Sequence, residues 1–326
     1  MSTTRLAGVL LAFAGMVVAV PAWAAPGSTD QIKARFDEAM SQPLAERVGS
    51  LQELDEKMGQ ALAEVTSVKE RAYIHKLRYR SRRGLGRYEA AHQSFAEFAS
   101  AMRRWDEQRA QRAVPEFVQK RLSPGQRGEV VALADAALAS WAGHDQAAPA
   151  LLYLKAKALS RMANRAGEAL PVLERAVSQY PESAYHPRSL RLMGHLQANG
   201  YGDGDEAALK TLKVIERQYA GTWWEQYAHM KPAVIFEKRQ GDPQKALERY
   251  RETLDKFPSH KYGPFIRRQI NRLQGVIEKQ LIDDALKGVR GDEPRANPRQ
   301  SLAHYSGELM GFEVTEAHRT VSLRRE

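Results

Sequence analysis

One segment of this chain recurs three times at nearly constant spacing. The copies run from Ala169 to Pro181, from Ala208 to Ala220 and from Ala246 to Pro258, and their starts lie 39 and then 38 residues apart. Each opens with Ala-Leu, places a large side chain four residues after the alanine (Leu173, Leu212, Tyr250), and closes with an aromatic residue before Pro or Ala. A fixed period of this length requires stacked supersecondary units rather than a single globular core. A second series runs ahead of the first: Ala156, Gly194 and Ala233 stand 38 and 39 residues apart. Small residues let the two helices of a hairpin approach closely, while large ones fill the groove between hairpins. The closing Pro or Ala marks a helix exit, because proline does not continue a helix. The recurring segment is therefore the second helix of a hairpin, and the small-residue series marks the first.

The same character extends through most of the chain. From Thr29 to about Lys287 it is rich in Ala, Leu, Glu, Lys, Arg and Gln, with few strand signals. Breaks are expected at Pro43, Gly84-Leu85-Gly86, Pro115, Ser123-Pro124-Gly125, Gly143, Pro149, Pro181, Gly200 to Gly204, Gly241-Asp242-Pro243 and Pro258. Short helices separated by such turns make antiparallel hairpins. Pro232 falls inside a first helix, where it should kink or restart it. A long helix from about Tyr262 to Lys287 is expected to cap the last hairpin. After it, 288–326 reads as a flexible tail, with short alternating stretches at Gly311 to Val314 and Thr320 to Leu323.

With these residues in place, the sequence resembles the tetratricopeptide (TPR) repeat. Gly241-Asp242-Pro243-Gln244-Lys245-Ala246-Leu247 through Pro258 is the closest copy, and Gly86-Arg87-Tyr88-Glu89-Ala90-Ala91 with Phe95 and Phe98 is a second. Tyr180 to Pro187 is similar to the link between repeats in periplasmic TPR proteins of the Tol-Pal-associated and outer-membrane-assembly kinds. The resemblance spans roughly 68–275. The period of 38–39 exceeds the family's usual length, Ala220 stands where proline is typical, and 25–67 is helical without aligning to the repeat. The resemblance implies an all-α, right-handed superhelical stack of TPR-like hairpins over 68–287, acting as a non-enzymatic scaffold for protein partners. In such stacks the first helices line the groove that holds a partner, which here points to Arg78, Arg82, Lys155, Lys231 and Lys238.

The N-terminus bears on location. Arg5 precedes an uncharged apolar run from Leu6 to Val20, followed by Pro21 and Ala22-Trp23-Ala24. That is the layout of a cleavable secretory signal over 1–24, with cleavage near Ala24-Ala25, and the run is short of the roughly 20 residues a membrane span needs. The chain has no cysteine, so no disulfide framework and no lipid-anchoring cysteine. The expected location is a bacterial periplasm. A net charge of +10 favours anionic partners. Behind an export signal these are an acidic protein, cell-wall polymer or lipid headgroups rather than nucleic acid.

Three local features are candidate sites. From Arg71 to Arg87 there are seven Lys or Arg residues plus His75 and no acid. Arg78, Arg80, Arg82 and Arg83 could hold phosphate or carboxylate groups, or form a helix face neutralised by acids of neighbouring helices. The patch reading gives a cell-wall or anionic-lipid binding module using 71–87. Another alternative is an accessory factor of an envelope secretion or assembly machine. Trp223-Trp224 near Tyr227 could anchor a peptide or pack between helices. Asp203, Asp205 and Glu206 lack the ligand spacing of a calcium loop, and are expected to cap a helix, through Asp205 or through Asp203 with Glu206. No constellation for catalysis or metal binding is present: the nine histidines are scattered, and there is no nucleophile elbow or phosphate loop. No cofactor is expected.

Overall fold

The computed structural model describes residues 29–290, except 142 and 145 and the side chains of 287–290. The expected signal sequence at 1–24 and the alternating stretches between 311 and 323 lie outside the described residues. These residues form thirteen α-helices and no strand. They are α1 (Thr29–Ser41), α2 (Leu44–Glu64), α3 (Val68–Gly84), α4 (Tyr88–Trp105), α5 (Glu107–Gln119), α6 (Arg127–Trp141) and α7 (Ala147–Leu159). There follow α8 (Ala169–Gln179), α9 (His186–Ala198), α10 (Gly204–Gln218), α11 (Trp223–Lys238), α12 (Pro243–Lys256) and α13 (Gly263–Arg290). The fold is all-α, built from neighbouring helix pairs. The chain divides into two compact units, Met1–Ala147 and Ala148–Glu326.

In the first unit, α1 and α2 close a core of Ile32, Phe36, Leu51, Leu54 and Met58 that continues onto α3 through Ile74 and Leu77. The segment that does not align to the repeat thus forms a hairpin that packs as the others do. α3 ends at the expected Gly-Leu-Gly turn, where Gly86 takes φ +73°, a conformation glycine adopts without strain. A cluster of Tyr79, Phe95, Phe98 and Phe117 joins α3, α4 and α5, with Phe95 and Phe117 stacked at 5.0 Å.

In the second unit the recurring segments are α8 and the bulk of α10 and α12, as the repeat predicts. Each ends on its aromatic residue as C-cap, with similar backbone angles outside both the helical and the extended regions: Tyr180 (φ −132°, ψ 58°), Tyr219 (−119°, 34°) and Phe257 (−128°, 73°). Ala156 and Ala233 are fully buried in α7 and α11, and Gly194 is buried in α9. A Cβ on Gly194 would lie 3.5–3.8 Å from Thr211, Ala208 and Leu212 of α10, so the small position sits against the second helix of its own hairpin. Asp242 caps α12 by accepting from the Lys245 amide at 2.9 Å, with Gly241 (φ +64°) turning the chain into it. α13 packs on α12 through Ile266 and Leu273, covering the last hairpin, and runs to Arg290, past the expected start of the tail.

Three expectations need correction. Pro149 does not break a helix: it lies in the first turn of α7, where an N–H has no intrahelical acceptor. Pro115 lies within α5 and Pro232 within α11, both buried in helices that run on without restarting. Each forfeits one backbone hydrogen bond, and packing against neighbouring helices offsets it. In the turn before Pro232, the His229 carbonyl accepts from Arg249 Nε of α12 at 2.9 Å. At α10, Asp203 stands at the N-cap but makes no side-chain cap bond. Asp205 falls inside the first turn and pairs with Arg239 at 3.4 Å, while Glu206 pairs with Lys210 at 2.8 Å.

Candidate functional site

The basic run of α3 is largely engaged inside the first unit. Arg78 Nε lies 3.0 Å from Asp55 Oδ1, and Arg82 Nε 2.9 Å from the same oxygen. Arg82 also donates to the Ala90 carbonyl at 3.2 Å and to Ser94 Oγ at 3.0 Å. Asp55 is buried, so α2 supplies the acid that the run itself lacks. Arg83 pairs with Glu129 of α6 at 2.6 Å. That carboxylate also accepts the Tyr79 hydroxyl, which in turn accepts Arg121 Nε at 2.7 Å. Burial raises the Glu129 pKa, but the bonds from Arg83 and Tyr79 and the charges of Arg83 and Arg121 outweigh it and leave the carboxyl below its usual range. Arg80 is an exposed residue, with its guanidinium over the Phe36 ring, 4.5 Å from the centroid. Three of the four arginines are thus structural ion-pair partners, and Arg80 stands apart from them.

The second unit presents a different arrangement on its first helices. α7 carries Tyr153 and Lys157 one turn apart, α9 carries Arg188, Arg191 and His195, and α11 carries Trp223, Tyr227 and Lys231. Residues three or four apart share one helix face, so each helix contributes one stripe. Three of the cations lie by an aromatic ring: Lys157 5.6 Å from Tyr153, Arg188 5.0 Å from Tyr185, and Arg191 5.6 Å from Tyr227. Tyr153 and Tyr185 meet at 5.6 Å, and Trp223 stacks on Tyr227 at 5.7 Å. The aromatic rings of three helices therefore frame one cationic surface.

Arg191 is its centre. Its Nε is buried without a hydrogen-bond partner. Lys231 is held below the usual lysine range by burial and then by Arg191; Lys157 by burial and then by Arg161, Arg191 and Arg188. His195 is depressed by burial, then by Lys231 and Arg191. Among the described residues, Lys157, Arg188, Arg191 and Lys231 have no carboxylate within ion-pair distance. Mutually repelling, partly desolvated cations are costly, and a bound anion relieves that cost. Such perturbed clusters concentrate at functional sites.

Of the candidates expected here, Lys231, Trp223 and Trp224 lie at or beside this surface. Trp223 and Trp224 meet edge to face at 4.7 Å, and Trp224 packs on the core of α9 and α10. Lys155 sits on α7 within electrostatic reach of Glu168, and Lys238 contacts Glu237 at 2.5 Å. Sequence reasoning passed over Lys157, Arg188 and Arg191. The α9 stripe Arg188, Arg191, His195 is visible as an i, i+3, i+7 pattern, but in a basic chain such a stripe looks like any solvated face. What distinguishes it is the missing acid, and that is a property of the assembled helices. Among the described residues no group of three His, Asp or Glu side chains is arranged to hold a metal, and no helix is long and apolar enough to cross a membrane.

The tetratricopeptide repeat family matches residues 227–260, which cover most of α11 and all of α12. No curated protein and no solved structure matches the chain.

Proposed function

We propose that this TPR-repeat protein is a non-enzymatic docking scaffold of the bacterial cell envelope, and that it holds an acidic segment of a partner protein on the first-helix face of α7, α9 and α11. The observation that carries the reading is the cationic surface without carboxylate partners among the described residues, centred on Arg191 and framed by Tyr153, Tyr185 and Tyr227. Guanidinium groups grip carboxylates by charge-assisted hydrogen bonds, and the aromatic rings offer flat apolar area to the peptide's aliphatic parts. The matched repeat ends one side of this face, and repeats of its kind serve protein–protein interaction. The export signal and the periplasmic location are part of the proposal; the apolar run Leu6 to Val20 and the Ala22-Trp23-Ala24 pattern support them. The rival anionic-polymer reading of 71–87 loses support from the pairing of Arg78, Arg82 and Arg83 with Asp55 and Glu129.

The test is binding of a labelled oligo-glutamate peptide, followed by fluorescence anisotropy, to the wild type and to the Arg191→Glu/Lys231→Glu variant. Each charged hydrogen bond is worth roughly 1.5–3 kcal/mol, so affinity should fall by about a hundredfold or more. Equal binding by the two proteins rejects this face. N-terminal sequencing of the protein from cells tests export: a chain beginning at Ala25 in the periplasmic fraction is expected, and an intact Met1 terminus in the cytosol rejects the envelope reading.

A further inference from the structure

α13 has 28 residues where α12 has 14, and it outruns what it packs on. Ile266, Ile270, Leu273 and Ile277 rest on the core of α11 and α12, and among the described residues no later residue of the helix joins that cluster. Past Ile277 the helix continues with Ile282 and Leu286 exposed at 47% and 52%. Helices in proteins draw most of their stability from packing an apolar face, and here that face has no partner among the described residues. Residues three and four apart share one face, so Arg268, Arg272, Gly275, Lys279, Ile282 and Leu286 form a single stripe. It points away from the side that Ile266, Ile270, Leu273 and Ile277 turn to the core. Exposed Val276 flanks it, and a Cβ on Gly275 would meet nothing within 4 Å. Arg272 pairs with Glu237 at 2.7 Å, while Arg268 and Lys279 have no carboxylate within ion-pair distance among the described residues. The stripe is therefore apolar at its far end and cationic toward its start.

We infer that the stripe is a docking surface for the chain's own tail, and that residues 302–316 fold back along α13 and cover it. The chain runs on from Arg290 to Glu326, and residues 291–300, with Pro294 and Pro298, join α13 to this segment. Ten residues reach up to about 33 Å, ample to reverse direction around a helix about 10 Å across. The chemistry of the segment matches the stripe. In a chain of net charge +10, residues 302–316 carry Glu308, Glu313 and Glu316 and no Lys or Arg, with Leu302, Tyr305, Leu309 and Phe312 as apolar positions. The order matches as well. Read back from its end, α13 presents Leu286 and Ile282, then Lys279, then Val276 beside Gly275, then Arg272 and Arg268. Read forward, the tail presents Leu302 and Tyr305, then Glu308, then Leu309 and Phe312, then Glu313 and Glu316. An antiparallel return thus sets apolar residues on apolar residues and carboxylates on cations. A second copy of α13 fits less well, because it would bring the same three cations to the face. The surface lies on the terminal helix, outside the face of α7, α9 and α11, and does not depend on what binds there.

The chain has no cysteine, so a pair of introduced cysteines reports proximity without interference. In the full chain, Gly275→Cys is combined with Gly311→Cys, which removes none of the apolar side chains invoked. The control combines Gly311→Cys with Glu278→Cys, an exposed position nearer the root of the tail but turned off the stripe. Under mild oxidation the first pair should close an intramolecular disulfide about tenfold faster than the control, the advantage of a held segment over a tethered one that meets at random. Glu308→Lys, Glu313→Lys and Glu316→Lys together should bring that rate down to the control. Adding Arg268→Glu and Lys279→Glu to them should restore it, which a merely unfolded tail would not do. By hydrogen exchange, amides of 279–286 should exchange faster in the three-lysine tail than in the wild type. Equal rates for the two cysteine pairs, disulfide-linked dimers as the main product, or a rate indifferent to charge reversal each overturn the inference. Arg191→Glu with Lys231→Glu should leave the rate unchanged. A fall there would place the tail on the other face and overturn the inference, whereas failure of oligo-glutamate binding leaves this readout untouched.

Discussion

Gly194 shows how much a single small position decides in this architecture. In the neighbouring hairpins the matching residues are Ala156 and Ala233, both fully buried. Gly194 lies inside α9 without a positive φ, so it supplies no conformation that alanine lacks. A Cβ there meets its nearest atom, Thr211 Cγ2, at 3.5 Å, an ordinary contact. Gly194→Ala should therefore stabilise the protein by about 0.5–1 kcal/mol, through helix propensity and a less mobile unfolded chain. Urea titration checks it, and a lower midpoint would mean that α9 and α10 have no room for a methyl group. Arg78 and Arg82 teach the opposite lesson. Their charge is conspicuous in the sequence, but its destination is Asp55, 23 and 27 residues earlier, and no local pattern announces that pairing. Arg191 is inconspicuous in the sequence, and its isolation from acids emerges only when α7, α9 and α11 lie side by side.

At the scale of the helix, the second unit was legible because its signals are local and repeated. The Ala-Leu opening and the closing aromatic of each copy fall on α8, α10 and α12, and Tyr180, Tyr219 and Phe257 end those helices in one conformation. The prolines were less legible. Pro149, Pro115 and Pro232 look alike as letters, yet one sits in a first turn and two are carried inside buried helices, because tertiary packing overrides local preference. The contact between α11 and α12 also stores a pH dependence. His229 of α11 is held near a pKa of about 4, by burial first and then by Arg249 and Lys256. Its Nδ1 lies 3.1 Å from Thr253 Oγ1. Above the ordinary histidine pKa of 6.5 the ring is neutral both folded and unfolded, and its environment carries no penalty. As pH falls from about 6.5 to about 4 the unfolded chain takes up the proton first, so stability is lost across that window and levels off below it. His75 of α3 has the same sign, with burial followed by Arg78, Arg71 and Arg82 as the causes. Urea midpoints should drop between pH 7 and pH 4, and His229→Gln, which keeps a polar partner for Thr253, should flatten part of that slope. An unchanged slope would assign the acid sensitivity elsewhere.

Within each unit the contacts are made between elements close along the chain. α9 packs on α8 and α10, α10 on α11, α11 on α12, and α12 on α13; in the first unit successive helices from α1 to α6 pack likewise, and α1 also meets α3 and α4 meets α6. Stability in such a stack is a sum of local hairpin terms and nearest-neighbour interfaces, not a property of one core. The sequence period announced this order, while the division at Ala147 and Ala148 carries no compositional mark that separates it from the other turns. A consequence follows for how damage spreads. Leu212, 1% exposed in α10, packs in one cluster with Leu190, Ile215, Ala228 and Ile235, all of the second unit. Leu212→Ala removes buried methyl groups and leaves a cavity, at a cost of about 2–5 kcal/mol. Nearest-neighbour coupling confines that cost, so hydrogen exchange should accelerate in α9, α10 and α11. Amides of α2 and α3, which rest on the separate cluster of Phe36, Leu51, Met58 and Ile74, should keep wild-type rates. Equal acceleration in α2 and α3 would show that the two units unfold as one cooperative body, and the additive account of the stack would then be wrong.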